Sequence, residues 1–411
     1  MLRTKIKTRL IGSLLLILSL IFNPKILGYL FANDGTINPI TTKIVIIFFE
    51  ATIFLVAISI LFNPKFFIKK RKEIFVLIIV SVISILFAEV VINFVDYKFN
   101  NRCIKYDNVL GWDNKLNCVS KLNKEEFHTI IKTNNAGMRE AKNFELKNEK
   151  YRIAFVGDSF VWGYGVNEEE RFTEIIQEKL GEEYEVMNFG VPGFSTDQYL
   201  LKIKDDVLKF NPDMIIVSFV LNDLTYIDEN VAYGKNKPLL IFNENNLKIE
   251  NYPIPKASWM PKIIIKINEL LAGINKKLFL KEEFPEIFKL NGKNYDEEIR
   301  LNNRIYKEIK NIVDKKNIEM VIIYIPQKTV FISERDLKEF GLSFGDVYLN
   351  KPAEIVQNLS NELDVAYINL QPYLTANGGS KNYFIKDTHF NQMGHKNSAM
   401  VISNELLQIL K

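Results

Sequence analysis

The sequence has few of the residue types that bind metals or transfer protons near neutral pH. Its 411 residues include only three histidines and two cysteines: His128, His389, His395, Cys103 and Cys118. Any imidazole base must therefore be one of three positions. The spacing of Asp387, His389 and His395 matches no tetrahedral ligand pattern, so we expect no metal site.

The sequence also lacks an excess of charge of either sign. It carries 53 Lys and Arg against 49 Asp and Glu, a formal net charge of +4. Proteins that bind nucleic acid usually concentrate basic residues, so this near balance argues against a nucleic-acid partner. At 411 residues the chain is too long for one small domain, and its length predicts two or three parts.

Long apolar runs, by contrast, are present, and all three lie before residue 97. They cover about 10–31, 44–62 and 74–95. The second and third are long enough to cross a hydrocarbon core, which takes about 20 helical residues. The first also fits a signal-peptide core, although no A-x-A cleavage site follows it. We predict that residues 1–97 form an all-α membrane anchor of three transmembrane helices.

The distribution of basic residues predicts the orientation of this anchor. Basic residues precede the first run, residues 33–42 have none, and five lie between the second and third runs: Lys65, Lys69, Lys70, Arg71 and Lys72. Cytoplasmic loops are enriched in Lys and Arg. We therefore expect a multi-pass protein of the cell membrane with a cytoplasmic N-terminus and everything after Val95 outside the cytoplasm.

Two carboxylates, Glu50 and Glu89, lie inside the predicted spans. Both fall roughly 9 Å below the outer boundary at about 1.5 Å per residue. They either bridge helices or form a polar path for a reactive group, because charges in lipid are costly.

Residues 98–147 are predicted as an extracytoplasmic stem. Cys103 and Cys118 lie in it, outside the reducing cytosol, so they either form a disulfide or remain free thiols. Arg139 follows an Asn-Ala-Gly turn and is either structural or faces an anionic substrate group.

From residue 148 to 411, apolar strands alternate with amphipathic helices. This pattern is typical of a parallel sheet covered on both faces, a three-layer α/β/α arrangement. The predicted strands are 151–157, 184–189, 213–220, 318–325 and 365–370, and the predicted helices are 171–181, 195–209, 297–315, 351–363 and 393–410. An insertion, about 224–296, contains an amphipathic stretch at 262–280 that either caps the domain or lies on the outer leaflet.

Polar residues follow the strands of this predicted sheet. Ser159 comes after the first strand, and a serine hydroxyl needs a neighbouring base to act as a nucleophile. His389, after the last strand, can be that base, since imidazole changes charge near neutral pH. Asp387 lies two residues earlier and projects to the same side in an extended segment. It can hold the ring nitrogen that faces away from Ser159.

Four blocks of the sequence resemble the SGNH (GDSL-like) hydrolase superfamily. They are GDSF at 157–160, NFGVPG at 188–193, LND at 221–223 and DTHFNQMGH at 387–395. The segment TNNAGMRE is similar to one found upstream of the catalytic serine in membrane-tethered members. The chain departs from the best-known family pattern in spacing its acid and base as D-x-H instead of D-x-x-H, as some membrane-linked relatives do.

The resemblance implies a flavodoxin-like SGNH fold and catalytic roles for Ser159, His389 and Asp387, with no cofactor. It also implies an oxyanion hole made by the backbone amides of Ser159 and Gly193 and the side-chain amide of Asn222. Gly190 is the competing glycine. We prefer Gly193 because the family's glycine follows the asparagine of its block by five positions.

The function that this resemblance implies is a membrane-anchored serine esterase. It would act on O-acyl, chiefly acetyl, esters of cell-envelope glycans through an acyl-serine intermediate. The resemblance also implies a membrane-bound O-acyltransferase as partner, and phospholipid or thioester substrates are alternatives to the glycan ester. One alternative activity is an O-acyltransferase that passes the acyl group to a glycan hydroxyl. Another is a non-catalytic glycan-binding or assembly subunit. We expect Asp158 and Asp223 to hold turns, and His395 to pack or cap.

Overall fold

The chain divides into two compact units, residues 1–98 with 259–282 and residues 99–258 with 283–411. The structure, a computed structural model, describes residues 2–21, 40–70, 72, 103–147, 149–243, 246–256 and 284–411. The third apolar run at 74–95, with Glu89, lies outside the described residues. So does the predicted amphipathic helix at 262–280.

The described part of the first unit is helical. It contains α1 (Leu2–Ile21), α2 (Ile40–Phe62) and α3 (Pro64–Lys69). Helix α3 begins at Pro64, a residue suited to a first helical position because it has no N–H to satisfy. Within the described part of the chain, no helix combines the length and the apolar character needed to span a membrane.

The second unit opens with two antiparallel hairpins, which we call the accessory hairpins. The first pairs β1 (Ile104–Asp107) with β2 (Gly111–Asn114), and the second pairs β3 (Val119–Asn123) with β4 (His128–Lys132). A disulfide joins Cys103 to Cys118, immediately before β1 and β3. The two cysteines are therefore bonded, and the free-thiol alternative is wrong.

A five-stranded parallel sheet forms the centre of this unit. Its strands in chain order are β5 (Tyr151–Val156), β6 (Tyr184–Asn188), β7 (Met214–Phe219), β12 (Glu319–Tyr324) and β13 (Ala366–Asn369). They lie side by side in the order β13-β12-β7-β5-β6. Read from β6, this is the 2-1-3-4-5 order of the flavodoxin-like fold. Each strand falls within the range that its apolar run predicts.

Between the third and fourth strands of the sheet the described residues form two small hairpins. One pairs β8 (Val231–Ala232) with β9 (Lys235–Asn236), and the other pairs β10 (Leu240–Asn243) with β11 (Asn246–Ile249). Both belong to the predicted insertion at 224–296.

The helices of the second unit lie on both faces of the sheet. They are α4 (Ser159–Trp162), α5 (Phe172–Leu180), α6 (Thr196–Asp205), α7 (Asn222–Thr225), α8 (Asp296–Asp314), α9 (Glu334–Glu339), α10 (Lys351–Leu363), α11 (Gln371–Ala376) and α12 (Gln392–Ile409). Short 3₁₀ turns occupy Glu168–Glu170, Val207–Phe210, Glu286–Phe288, Lys328–Phe331, Phe344–Asp346 and Gly379–Asn382.

Alternate residues of each strand enter one of two apolar cores. Ile153 and Phe155 of β5 pack in a core with α5 and α12, whereas Ala154 and Val156 pack in the other with α6, α8 and α10. A strand covered on both faces is apolar at nearly every position, which is why these runs are continuous in the sequence. The predicted three-layer α/β/α arrangement is confirmed.

The accessory hairpins pack directly on the α/β domain. The Trp112 indole N–H donates to the Pro192 carbonyl at 2.9 Å, and the Asn114 side-chain amide donates to the Gly190 carbonyl at 3.1 Å. Residues 99–258 accordingly fall within one compact unit. Through contacts of this kind, the described residues 103–147 of the predicted stem at 98–147 pack on the domain as a further layer.

Candidate active site

The chain turns sharply where β5 ends, and the turn places a serine at the edge of the sheet. A side chain at Gly157 would collide with Ser218 and Val161, so this position needs glycine. Asp158 caps α4 by accepting the Phe160 N–H at 2.9 Å, which makes Ser159 the first residue of that helix. Ser159 lies at the carboxyl end of β5, where the strand order reverses and α/β proteins bind ligands.

The histidine reaches this serine from a tight loop before α12. An antiparallel bridge between Tyr383 and Phe390 closes the loop, and the Phe384 N–H donates to the His389 carbonyl at 3.1 Å. His389 Nε2 lies 2.7 Å from Ser159 Oγ. Two side chains separated by 230 positions thus meet within hydrogen-bonding distance.

Asp387 binds the other ring nitrogen of the same histidine, Nδ1. Its Oδ1 lies 2.5 Å from His389 Nδ1 and also accepts the His389 backbone N–H at 3.0 Å. A carboxylate accepts hydrogen bonds, so Nδ1 carries the proton and the Nε2 lone pair faces the Ser159 hydroxyl. Burial opposes ionisation of Asp387, but the bonds from His389 outweigh it and lower the carboxyl pKa.

Aromatic rings flank the histidine. The centroids of the Tyr164 and Phe160 rings lie 4.5 Å and 5.2 Å from that of His389. The His389 and Asp387 side chains nevertheless keep 22% and 26% of their surface exposed. The pair is therefore held by packing and remains accessible to a substrate.

The two glycines of the second block differ in what their amides do. The Gly190 N–H donates to Asn188 Oδ1 at 3.0 Å, and a side chain at Gly190 would collide with the Trp162 backbone. Gly193 has a φ of +80°, in the region that favours glycine. Its N–H has no acceptor among the described residues. Of the two, Gly193 has the donor that is available to a substrate.

Asn222, the first residue of α7, lies beside the serine turn. Its side-chain amide donates to Asp158 Oδ2 at 3.1 Å, and that oxygen lies 3.5 Å from Ser159 Oγ. The same Nδ2 is 3.4 Å from the Tyr233 hydroxyl. The carboxyl edge of the sheet therefore carries all of the site residues that the sequence predicts.

Asp158 and Asp223 hold the turns on which this edge depends. Asp223 Oδ2 accepts the Val220 N–H at 2.8 Å, as Asp158 accepts that of Phe160. Burial raises the pKa of both carboxyls, and the charge of Asp158 raises that of Asp223 further. The predicted turn-holding bonds are confirmed.

The other two histidines lie away from this chemistry. His395 is 1% exposed, and its Nδ1 accepts the Phe172 N–H at 3.3 Å. Burial, followed by the nearby charges of Arg139 and Arg171, lowers its pKa to about 3. Its predicted packing role is confirmed. His128 lies on the exposed face of β4, with Nδ1 3.2 Å from Asn123 Oδ1.

Arg139 is buried beneath the segment that follows α4. Its guanidinium donates to the carbonyls of Trp162 at 2.8 Å and Val166 at 2.5 Å, and also to that of Gly163. It lies 4.4 Å from the Trp162 ring centroid. The structural interpretation of Arg139 is confirmed, because its donors are used to order this loop.

A small cleft of about 80 Å³ beside the site is a feature that sequence reasoning missed. It is lined by Ile104, Ser120, Lys121, Leu122, Ile131, Trp162, Tyr164, Pro192 and Lys235. Tyr164 belongs to this cleft and also packs against His389. In the sequence, the only local indication of this cleft is the pair of aromatic residues in VWGYG, shortly after the serine. The contribution of the accessory hairpins depends on distant contacts.

One group of carboxylates in the described part of the chain has the spacing to hold a metal ion. It consists of Glu140, Glu168 and Glu174, whose oxygens lie within 4.8 Å of one another. The Arg171 guanidinium already donates to Glu140 at 3.1 Å and to Glu174 at 3.0 Å. A cation of the protein itself therefore pairs with two of the three carboxylates.

A family model and several solved structures match this chain. The model of the GDSL-like lipase/acylhydrolase family matches residues 155–396. A lipase/acylhydrolase from Enterococcus faecalis is 14% identical, covers 62% of this chain and 95% of its own, and has a TM-score of 0.36. A GDSL-like lipase from Bacteroides thetaiotaomicron is 9% identical, with coverage of 65% and 93% and a TM-score of 0.36.

An acetyl xylan esterase is 17% identical, covers 62% of this chain and 98% of its own, and has a TM-score of 0.37. No curated protein sequence matches the chain.

Proposed function

The chain belongs to the GDSL-like lipase/acylhydrolase family, and on that premise we propose that it is a membrane-anchored serine esterase acting on O-acetyl esters of cell-envelope glycans. Membership of this family makes it an ester-bond hydrolase. The observation that carries the proposed mechanism is the 2.7 Å contact between His389 Nε2 and Ser159 Oγ.

In the first step of this mechanism Ser159 is the nucleophile. His389 Nε2 takes the hydroxyl proton as Oγ attacks the acyl carbon, and Asp387 stabilises the imidazolium that forms. The tetrahedral intermediate collapses as Nε2 returns its proton to the leaving alcohol oxygen, leaving an acyl-Ser159. Water then attacks this ester with His389 again as base, which releases the carboxylic acid and restores the serine.

The developing oxyanion is assigned to three donors. They are the backbone amides of Ser159 and Gly193 and the side-chain amide of Asn222. Among the described residues the Gly193 N–H has no competing acceptor, which supports its assignment over Gly190. Loss of one such donor typically lowers turnover by about 10²–10³-fold, because charge develops there only during reaction.

The cleft beside Tyr164 supports a small acyl group and a sugar as the substrate. Its volume of about 80 Å³ is well below that of a typical pocket for a larger ligand, roughly 300–1,000 Å³, so it does not suit a long acyl chain. The partly exposed Tyr164 ring offers an aromatic wall, and Lys121 adds a polar donor. Such a mixture suits a ring that carries several hydroxyl groups.

The proposed location is the outer side of a cell membrane. The apolar runs and their basic flanks support three transmembrane helices with a cytoplasmic N-terminus. The Cys103–Cys118 disulfide supports a domain outside the cytoplasm, since such bonds persist mainly in oxidising compartments. The bilayer and a membrane-bound O-acyltransferase are the proposed partners.

The esterase is tested with the full-length chain and a chromogenic acetyl ester. Ser159→Ala should lose essentially all turnover and all labelling by a fluorophosphonate, whereas Ser380→Ala, which changes an exposed serine, should retain both. Equal turnover by wild type and Ser159→Ala would remove the proposal. An inactive wild type that binds glycan would favour the non-catalytic alternative.

The choice between hydrolysis and transfer needs an acceptor. An esterase should release acetate from an acetylated glycan at a rate that an added unacetylated glycan does not raise. Acceptor-dependent acceleration, with the acetyl group recovered on the added glycan, would instead identify an O-acyltransferase.

A further inference from the structure

We infer that Glu126, in the turn between β3 and β4, is a positioning residue for the Asp387–His389 pair. The inference rests on the proposed function, because it assigns Glu126 a role in the same reaction. Glu126 touches neither the serine nor the imidazole. It acts on the loop that carries Asp387 and His389 to the site.

The Glu126 carboxylate binds three consecutive backbone amides of that loop. One oxygen, Oε1, accepts the Ile385 N–H at 2.7 Å. The other, Oε2, accepts those of Lys386 at 2.8 Å and Asp387 at 2.7 Å. Both carboxylate oxygens therefore accept hydrogen bonds from a segment that lies about 260 positions away along the chain.

These bonds favour the charged form of the side chain. Desolvation opposes ionisation of Glu126, but the three amide donors outweigh it and lower the carboxyl pKa. Hydrogen bonds to an ionised acceptor are shorter and stronger than those between neutral groups. The loop is therefore bound by an anion rather than by a neutral acceptor.

A cation binds the carbonyl groups of the same loop. Lys328 Nζ donates to the Phe384 carbonyl at 2.8 Å and to the Ile385 carbonyl at 2.5 Å. Beside Glu126, the Phe127 ring lies 4.8 Å from that of Phe384. The loop thus has its amides, its carbonyls and one ring held by residues from other parts of the domain.

Asp387 connects the loop bound by Glu126 to the catalytic histidine. Its N–H is bound by Glu126, while its Oδ1 holds both the ring and the backbone of His389. A displacement of the loop therefore moves the imidazole relative to Ser159. Misplacement of a reacting group by about 1 Å can cost about 10²-fold in rate.

Kinetics of the full-length chain on 4-nitrophenyl acetate test this role. Glu126→Ala should lower kcat about 10²-fold with KM within about twofold, since alignment is lost and binding is not. Glu126→Gln, which keeps one acceptor oxygen, should fall in between. The matched control is Glu125→Gln, because that neighbour is an exposed partner of the Lys386 side chain and should leave kcat unchanged.

A spectroscopic measurement separates positioning from general loss of structure. With three histidines in the chain, selective labelling resolves the downfield Nδ1–H proton of His389. It should weaken or shift in Glu126→Gln and Glu126→Ala while thermal unfolding of Glu126→Gln stays near wild type. It should persist in Glu125→Gln.

Two results would overturn the inference. One is wild-type kcat in Glu126→Ala, and the other is an unchanged His389 Nδ1–H signal in both Glu126 variants. The signal does not depend on turnover, so it judges the positioning role even if Ser159→Ala shows that the proposed esterase is wrong.

Discussion

The hydroxyl of Ser159 is a weak nucleophile, and its activation depends on the orientation of a single imidazole. Asp387 supplies that orientation although it lies only two residues before His389. The short spacing works because one oxygen accepts both the Nδ1–H at 2.5 Å and the backbone N–H at 3.0 Å. The second bond folds the segment into an Asx-type turn, which brings the carboxylate to the ring. This geometry accounts for D-x-H in place of D-x-x-H.

Another residue-scale consequence concerns the buried His395. Its pKa is lowered from 6.5 to about 3 in the folded chain. Below pH 6.5 the unfolded chain binds a proton that the folded chain cannot, so His395 destabilises the fold increasingly down to about pH 3. Above pH 6.5 it has no such effect.

We therefore predict that His395→Gln removes one component of acid destabilisation. Relative to its value at pH 8, the free energy of unfolding at pH 5.5 should fall by about 1 kcal/mol less in this variant than in the wild type. Urea unfolding at both pH values measures the difference. His128→Gln, which changes an exposed histidine, should show the wild-type pH dependence. An identical slope in His395→Gln would contradict the prediction.

At the scale of elements, the accessory hairpins are more than a segment that precedes the sheet in the chain. They bind the glycine block through Trp112 and Asn114, line the cleft, and carry Glu126 to the His389 loop. The hairpins would be marginal alone, because an isolated two-stranded pair is barely stable in water. Their order depends on the domain and on the Cys103–Cys118 bond.

The disulfide is therefore expected to matter for stability and for turnover. Its cysteines are 15 positions apart, and closing a loop of that size contributes about 3 kcal/mol in the chain-entropy model. Reduction should lower the urea midpoint of the wild type and reduce kcat on 4-nitrophenyl acetate.

The control for reduction is the double variant Cys103→Ser and Cys118→Ser. It should resemble the reduced wild type and should not respond to reductant, since no other cysteine exists. A reduced wild type with unchanged stability and turnover would show that the hairpins are held by packing alone.

At the scale of the whole molecule, the proposed topology separates two parts of the chain by the membrane. We predict that an impermeant maleimide applied to intact cells labels Ser380→Cys, in the α/β domain. Lys69→Cys, between the second and third apolar runs, should be labelled only after permeabilisation. Both positions are exposed, so the comparison reports the side of the membrane. The reverse pattern would contradict the proposed orientation.

Much of the α/β domain follows from the sequence because strand and helix periodicities are local. Within the strands Tyr151–Val156 and Met214–Phe219, residues 153–156 and 214–217 are continuous apolar runs, as expected of strands buried on both faces. Ser159 and Asn222 directly follow these strands, and the carboxyl ends of parallel strands share one edge. The sequence thereby determined the fold and the positions of the predicted site residues.

Only the tertiary structure decided how distant segments complete the site. The Asn188 side chain accepts the Gly190 N–H, and its orientation is set by its own donation to the Val161 carbonyl at 2.6 Å, 27 positions away along the chain. The role of Glu126 depends on a loop some 260 positions away, and no periodicity links the two. Pattern in the sequence reports which face of an element is apolar. Hydrogen bonds between remote loops depend on how the elements pack in three dimensions, and the apolar pattern carries no information about that packing.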